Sequence, residues 1–392
     1  MRFTALVKPF INVLSDNLYT CDWARVHKNR AETDNQNRLI CAWSTMQTGK
    51  TKVAKQNKVI ETVSKGEIIH MKTIGVLTSG GDSQGMNAAV YAVVRYALQN
   101  DMTVYGIMNG YKGLIAGNVK EMTSKDVDGI VQRAGTILGT SRCPEMKTDE
   151  GRQKAADTLK KFGIEGLVVI GGDGSFQGAK VLTTLFGVKT IGIPGTIDND
   201  LAYTSFTLGF DTAVTVVVDT IKMLRDTMSC NDRSCVVEVM GRRCGDIAMY
   251  GGLTAGAEVI MTPEMPISYD EVVSVLKRNE AVGKYDNIIV VAEGVGHADV
   301  VRKEIEARMP EINLRSMVVG HIQRGGDTTF QDRLLGIRMG AHAVKCLLDN
   351  KTNRVIGVKN NEIFDEDLLE ALAKEKKFDI NTYELAKELA RY

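Results

Sequence analysis

The most constraining feature of this chain is a series of short, nearly unbroken apolar runs that end in glycine or acidic residues. Thr73-Ile-Gly-Val-Leu77, Gly166-Leu-Val-Val-Ile170, Thr190-Ile-Gly-Ile-Pro194 and Ile288-Ile-Val-Val-Ala292 are the clearest. A strand with one wet face alternates apolar and polar residues, whereas a run that is apolar throughout is buried on both faces. Between the runs lie stretches of helical period. Such alternation means βαβ units and parallel sheets covered on both sides.

The pattern predicts strands at 73–77, 104–107, 166–170, 190–194, 235–240, 259–261, 288–292 and 316–320. It predicts helices at 86–98, 149–162, 178–185, 211–225, 270–278, 300–309 and 333–348, with two more within 365–392. The stretches 78–82 and 171–174 read as turns. About 320 residues of this kind exceed one core, so two domains are expected. With no internal duplication and no low-complexity linker, the domains should exchange segments rather than hang on a tether. The expected fold class is α/β, with two Rossmann-like α/β/α sandwich domains and mostly parallel sheets.

Residues 1–70 depart from this rhythm. They carry eleven basic and six acidic residues, against 38 and 42 in the remainder, and hold both Trp23 and Trp43. The apolar run after Met1 is short and broken by Lys8 and Asp16, so a secretory signal fails. Acidic residues at 16, 22, 32 and 34 weigh against a transit peptide. The other readings are a mobile arm, or a true start at Met71. Lys65-Gly66-Glu67 can be encoded by a purine-rich stretch like a bacterial ribosome-binding site. The expectation is an extension, disordered or not native, with little packed structure before Met71.

The net charge of +1 excludes a strongly basic nucleic-acid binder. No stretch of about 18 apolar residues is present to span a membrane. Seven cysteines, an odd number without C-x-x-C spacing, support neither a disulfide framework nor a zinc cluster, and point to a reduced cytoplasm.

In open parallel sheets, ligands bind beyond the carboxyl ends of strands. Four such ends carry polar or glycine clusters. Gly80-Gly81-Asp82 opens a helix and suits an anion, or serves only a tight turn. Gly171-Gly172-Asp173-Gly174-Ser175 sets a carboxylate between glycines, fit for Mg²⁺ on nucleotide phosphates or for a helix cap. Gly195-Thr196-Ile197-Asp198-Asn199-Asp200 offers two carboxylates that can take a hydroxyl proton or hold a metal, or form an Asx-capped turn. Arg142, Arg233, Arg242, Arg315 and Arg324, with His321, suit a phosphorylated substrate, although each alone reads as a surface ion pair.

Together these motifs closely resemble the bacterial ATP-dependent 6-phosphofructokinases. The matching segments are GVLTSGGDSQGMNAAV, VVIGGDGSFQGA, PGTIDND, VVEVMGRRCGD and GHIQRGG, in the family's order over 71–392. The resemblance implies transfer of the terminal phosphoryl of ATP to the 1-hydroxyl of fructose 6-phosphate, with Mg²⁺, in glycolysis. Residues 71–209 with 323–373 would bind ATP, and 210–322 with 374–392 the sugar phosphate. Asp198 would be the base, and Thr196, Arg142 and Arg242 would share in catalysis. Gly81, Tyr111, Arg142, Cys143, Gly174, Ser175 and Gly178 would line the ATP site, with Asp173 on the metal. Asp200 would support the metal and sugar site. Met240, Gly241, Arg242, Glu293, His321 and Arg324 would hold fructose 6-phosphate. Arg233 and Arg315 would come from a neighbouring subunit, implying a cytoplasmic homotetramer.

Departures concern the nucleotide and the effector. Cys143 and Lys147 stand where the bacterial enzymes carry Phe and Arg. At the effector site Arg95, Arg225, Glu258 and Lys284 match the family. Tyr91, Ser124, Val282 and Asp286 fall where basic residues are usual, so an ADP or phosphoenolpyruvate response should be weak, unless Lys125 substitutes. The nearest alternative is a pyrophosphate-dependent phosphofructokinase, which typically carries Asp and Lys where this chain has Gly174 and Gly195. NAD kinase, from GGDG alone, and a nucleotide-sensing protein without catalysis are the others. The retention of Asp198, Asp173 and Arg142 speaks against the last.

Overall fold

In the computed structural model, residues 71–391 are described, and the expectation for residues 1–70 lies outside them. In chain order the strands are β1 (Thr73–Thr78), β2 (Thr103–Ile107), β3 (Val119–Glu121), β4 (Gly166–Gly171), β5 (Lys189–Pro194), β6 (Ser234–Val239), β7 (Val259–Met261), β8 (Ile288–Ala292), β9 (Leu314–Val318), β10 (Arg354–Lys359) and β11 (Glu362–Asp367). The helices are α1 (Met86–Leu98), α2 (Gly110–Ala116), α3 (Asp149–Lys161), α4 (Asp173–Phe186), α5 (Phe210–Met228), α6 (Asp246–Thr254), α7 (Tyr269–Ala281), α8 (Ala298–Arg308), α9 (Phe330–Leu348), α10 (Leu368–Leu372) and α11 (Ile380–Leu389).

Two sheets result. One has seven strands in the order β11-β10-β5-β4-β1-β2-β3, the other four in the order β7-β8-β6-β9. All pairings are parallel except β10 with β11 and β2 with β3 at the edges. The apolar runs behave as buried strands must. Along β4, Val168 and Ile170 enter one core with α1 and α9, while Leu167 and Val169 enter another with α2, α3 and α4. In the second sheet Val237 packs toward α5 and α6, and Val236 toward α7 and α8. The chain's last helix returns to this second core, where Tyr383 and Ala386 are buried.

Helices α1 and α9 approach closely at Gly336 and Gly340. A Cβ at Gly336 would lie 2.7 Å from the Gly85 carbonyl, and one at Gly340 2.6 Å from that of Ala89. No helix of the described residues is long and apolar enough to cross a membrane.

Four features differ from the sequence expectation. Helix α4 begins at Asp173, not Gly178, because extended Gly172 serves as its N-cap. Asp173, expected within a turn, therefore stands in the first turn of the helix, where its carboxylate meets the positive end of the dipole. Strand β9 runs Leu314–Val318, and Gly320–Arg324 forms a 3-10 turn. Asp365 lies in β11, not in a helix. The β10–β11 hairpin, the short α2 and β3, and α6 are additional. Asn360 and Asn361 turn the hairpin with φ of 50° and 62°, the positive values that a two-residue turn of this hand requires.

Candidate active site

Strand order reverses at β1, whose neighbours are β2 and β4, and again at β6, between β8 and β9. Ligand crevices open at such reversals, beyond the strands' carboxyl ends. At the first, Ser79 N–H donates to the Ile170 carbonyl at 2.9 Å, and Ser175 Oγ donates to the Ser79 carbonyl at 3.0 Å. These bonds fasten the two glycine loops together.

A cavity of about 630 Å³ opens there. It gathers the whole expected nucleotide set: Gly81, Tyr111, Arg142, Cys143, Gly174, Ser175 and Gly178. Lys147, Thr196, Asp198 and Arg324 line it as well. Tyr111 Oη donates to the Ser175 carbonyl at 2.7 Å, and burial pushes its phenol far above the ordinary range. A Cβ at Gly174 would enter open space, whereas one at Gly195 would press on Met86 at 3.0 Å and Ile170 at 3.2 Å. Gly195 is thus kept small by the core beneath it as well as by the cavity it lines. Cys143 donates to Glu145 Oε2 at 3.4 Å, and its thiol is raised, chiefly by burial.

Asp198 is the most perturbed carboxylate of this cavity. Its Oδ1 is buried with no hydrogen-bond partner. Burial, then the Asp200 charge, raise its carboxyl to about 6, with Glu293 adding and the Arg324 guanidinium opposing. An uncompensated buried carboxylate favours its neutral form, which makes it a stronger base when ionised. Thr196 Oγ1 accepts from the Asp198 N–H at 3.3 Å and donates to Asp200 Oδ1 at 3.4 Å. Asp200 is exposed in area yet crowded by protein atoms, and that crowding and the Asp173 charge raise its carboxyl.

At the second reversal, Met240 N–H donates to Gln323 Oε1 at 2.8 Å, joining β6 to the His321–Arg324 turn. Gly241 has φ 122°, and a Cβ there would lie 2.5 Å from the Cys244 carbonyl. The Glu293 N–H donates to the Val239 carbonyl at 2.9 Å, which sets Glu293 beside Met240. The Arg242 and His321 side chains are exposed. Arg324 reaches back across the two sheets, where Nη1 donates to the Asp82 carbonyl. Gln84 Nε2 fixes the same crossing by donating to the Gln323 carbonyl at 2.7 Å and the Gly325 carbonyl at 2.8 Å.

Arg233 and Arg315 are not brought to these loops. Arg233 precedes β6, and Arg315 pairs with Cys235 at the start of β9. The strand length puts them on the order of 20 Å from Met240 and His321, at about 3.3 Å per residue. Arg233 Nε is buried without a partner.

Of the expected effector residues, Arg225, Glu258 and Lys284 meet. Glu258 pairs with Arg225 at 3.3 Å and Lys284 at 3.2 Å, and Lys284 also pairs with Asp286 at 2.9 Å. Arg95, on α1, takes no part in these bonds. Sequence reasoning missed Gln84, Gln323, Asn199, Asp246 and Lys376. The buried polar residues Gln84, Asn199, Asp246 and Gln323 lie inside recognised motifs, which is the one signal that could have found them; Lys376 lies in none.

The phosphofructokinase family model matches residues 73–347. An ATP-dependent 6-phosphofructokinase of Clostridium tetani is 55% identical over 320 residues, 82% of this chain and all of that one. ATP-dependent 6-phosphofructokinase 1 of Clostridium perfringens is 55% identical over 316 residues, 81% of this chain and 98% of that one. Among solved structures, phosphofructokinase from Saccharomyces cerevisiae superposes with a TM-score of 0.72 at 33% identity, over 81% of this chain and 46% of that one. The chain belongs to the phosphofructokinase family.

Proposed function

We propose that this chain transfers the terminal phosphoryl group of ATP to the 1-hydroxyl of fructose 6-phosphate, giving fructose 1,6-bisphosphate and ADP. The observation that carries the reading is Asp198. It is a half-buried carboxylate whose Oδ1 is buried without a hydrogen-bond partner, raised to about 6, lining the nucleotide cavity within reach of the Glu293 charge from the second sheet. Residues 71–209 with 323–373 serve as the ATP-binding part, and 210–322 with 374–392 as the sugar-phosphate part.

Phosphoryl transfer asks little covalent work of a protein; positioning and charge neutralisation dominate. Asp198 orients the sugar hydroxyl and takes its proton. Thr196 holds the loop beside the reacting groups, and Arg142 meets the transferred phosphate. Met240, Gly241, Arg242 and Glu293 grip the sugar, with His321 and Arg324 toward its 6-phosphate. Asp173 and Asp200 are hard oxygen donors; burial and then the Asp173 charge raise Asp200, and these carboxylates would suit a divalent cation. Mg²⁺ held by Asp173 and the nucleotide phosphates would supply neutralisation of the charge on the transferring group. Arg233 and Arg315, far from their own chain's loops, serve a neighbouring subunit in a homotetramer. The protein acts in the cytoplasm.

The donor is tested by incubating purified protein and fructose 6-phosphate with ATP or with pyrophosphate. Fructose 1,6-bisphosphate formed with ATP alone is expected. Turnover with pyrophosphate alone would make this a pyrophosphate-dependent enzyme, and turnover with neither would favour a silent nucleotide sensor.

A further inference from the structure

The catalytic loop is tied to Lys376, a residue outside every recognised motif. Asn199, between Asp198 and Asp200, is buried and holds a left-handed φ of 52°. Asparagine adopts that conformation more readily than other non-glycine residues, and burial leaves its amide to be satisfied by the protein around it. Here Asn199 Nδ2 donates to Asp246 Oδ2 at 3.0 Å and to the Ser205 carbonyl at 3.3 Å. Asp246 opens α6 with its side chain only 4% exposed, and Lys376 Nζ reaches the same Oδ2 oxygen at 3.0 Å. In the run Lys374-Glu375-Lys376-Lys377, only Lys376 is drawn inward, while its three companions are exposed. The segment is anchored just beyond by Asp379, which caps α11 through the Thr382 N–H at 3.0 Å, and by buried Tyr383. Lys376 also lies outside residues 73–347, where the family model matches.

We infer that Lys376 is a positioning residue for the Thr196–Asp200 loop, acting through Asp246 and Asn199. The Lys376 charge holds the buried Asp246 carboxylate, and that carboxylate holds the Asn199 amide. The amide sets the left-handed turn that aims Asp198 and Asp200. The C-terminal segment thereby closes the back of the catalytic loop without touching substrate. This rests on the proposed role of Asp198.

The test is steady-state kinetics of Lys376→Met, Lys376→Arg, Asn199→Gly and the Lys376→Met/Asn199→Gly double variant. Glycine keeps the positive φ but removes the amide. Lys376→Met is expected to lower kcat about tenfold or more while KM for both substrates stays within about threefold. Arginine should restore most of kcat, and the double variant should be no worse than about threefold below the weaker single variant, because one chain of contacts is cut twice. A kcat for Lys376→Met within about twofold of wild type, no rescue by arginine, or multiplying losses in the double variant would each overturn the inference. If Lys376→Met fails to fold, Asn199→Gly decides: a kcat within about twofold of wild type overturns it. Asp198→Asn is assayed in parallel. Full activity there removes the base assignment and with it the ground of this inference, whereas unchanged kcat in Lys376→Met removes this inference alone.

Discussion

Gly178→Ala should weaken ATP binding selectively. Gly178 lies in the second turn of α4, and a Cβ there would stand 2.7 Å from Tyr111 Cζ and 2.8 Å from Cε2. Ordinary carbon contacts lie near 3.5–4.0 Å, so the ring must retreat by roughly 1 Å. Tyr111 is 3% exposed and cannot swing away as a surface side chain would. Its bond to the Ser175 carbonyl, 2.7 Å, would stretch or break. Alanine in a helix gains about 1 kcal/mol over glycine. Against this stand about 1–3 kcal/mol of overpacking and about 1 kcal/mol for the hydrogen bond. Strain therefore outweighs propensity, and the ring moves into the cavity that it lines. If about 1.4 kcal/mol of the cost falls on the nucleotide, KM for ATP rises about tenfold. KM for fructose 6-phosphate should change less than about twofold, since its loops lie at the other sheet. Adding Tyr111→Leu, which removes the contacted atoms, should recover part of the ATP affinity. Steady-state kinetics in both substrates reads this out. A Gly178→Ala enzyme with unchanged KM for ATP would refute the steric argument.

Three further outcomes are expected. Asp198 must be ionised to accept a proton, so activity is full well above about 6 and falls as pH drops through that value; a pH profile of kcat/KM flat down to about 4.5, near the ordinary carboxylate range, would contradict it. Phosphoenolpyruvate at millimolar concentration should barely shift the fructose 6-phosphate curve, because Glu258 and Asp286 already pair with Arg225 and Lys284; each lost charge-assisted contact is worth on the order of 1.5–3 kcal/mol, and a large sigmoidal shift would show a working effector site. Arg233→Ser or Arg315→Ser should raise KM for fructose 6-phosphate, and mixing either variant with Asp198→Asn subunits should restore part of the activity; no complementation would count against a shared site.

The parallel sheets were legible because β4 and β8 carry no polar side chain at any position, which only burial on both faces explains. The loops at their ends were legible for the related reason that glycine and carboxylate at a strand end have few structural uses. The hairpin β10–β11 was not, because Glu362–Asp367 is acidic, half-exposed and at a sheet edge, so its composition resembles a loop. The start of α4 was hidden by its own glycines, which favour turns locally but here admit a helix whose first turn must stay open to a ligand. Asp286 was legible only as an acid where a basic residue is usual; its pairing with Lys284 depends on side-chain direction. Asn199 and Asp246 meet across 47 positions, and Lys376 joins them from farther still along the chain; no local pattern encodes such a meeting.

The most direct test of the account is the turnover of Asp198→Asn with saturating ATP and fructose 6-phosphate, beside calorimetric binding of the sugar phosphate. Asparagine keeps the shape of the side chain and removes the base. With the base gone, kcat should fall by roughly a thousandfold or more while sugar-phosphate affinity changes by less than about fivefold, since the proton is taken in the transition state. Turnover near the wild-type value in a folded Asp198→Asn enzyme would contradict it.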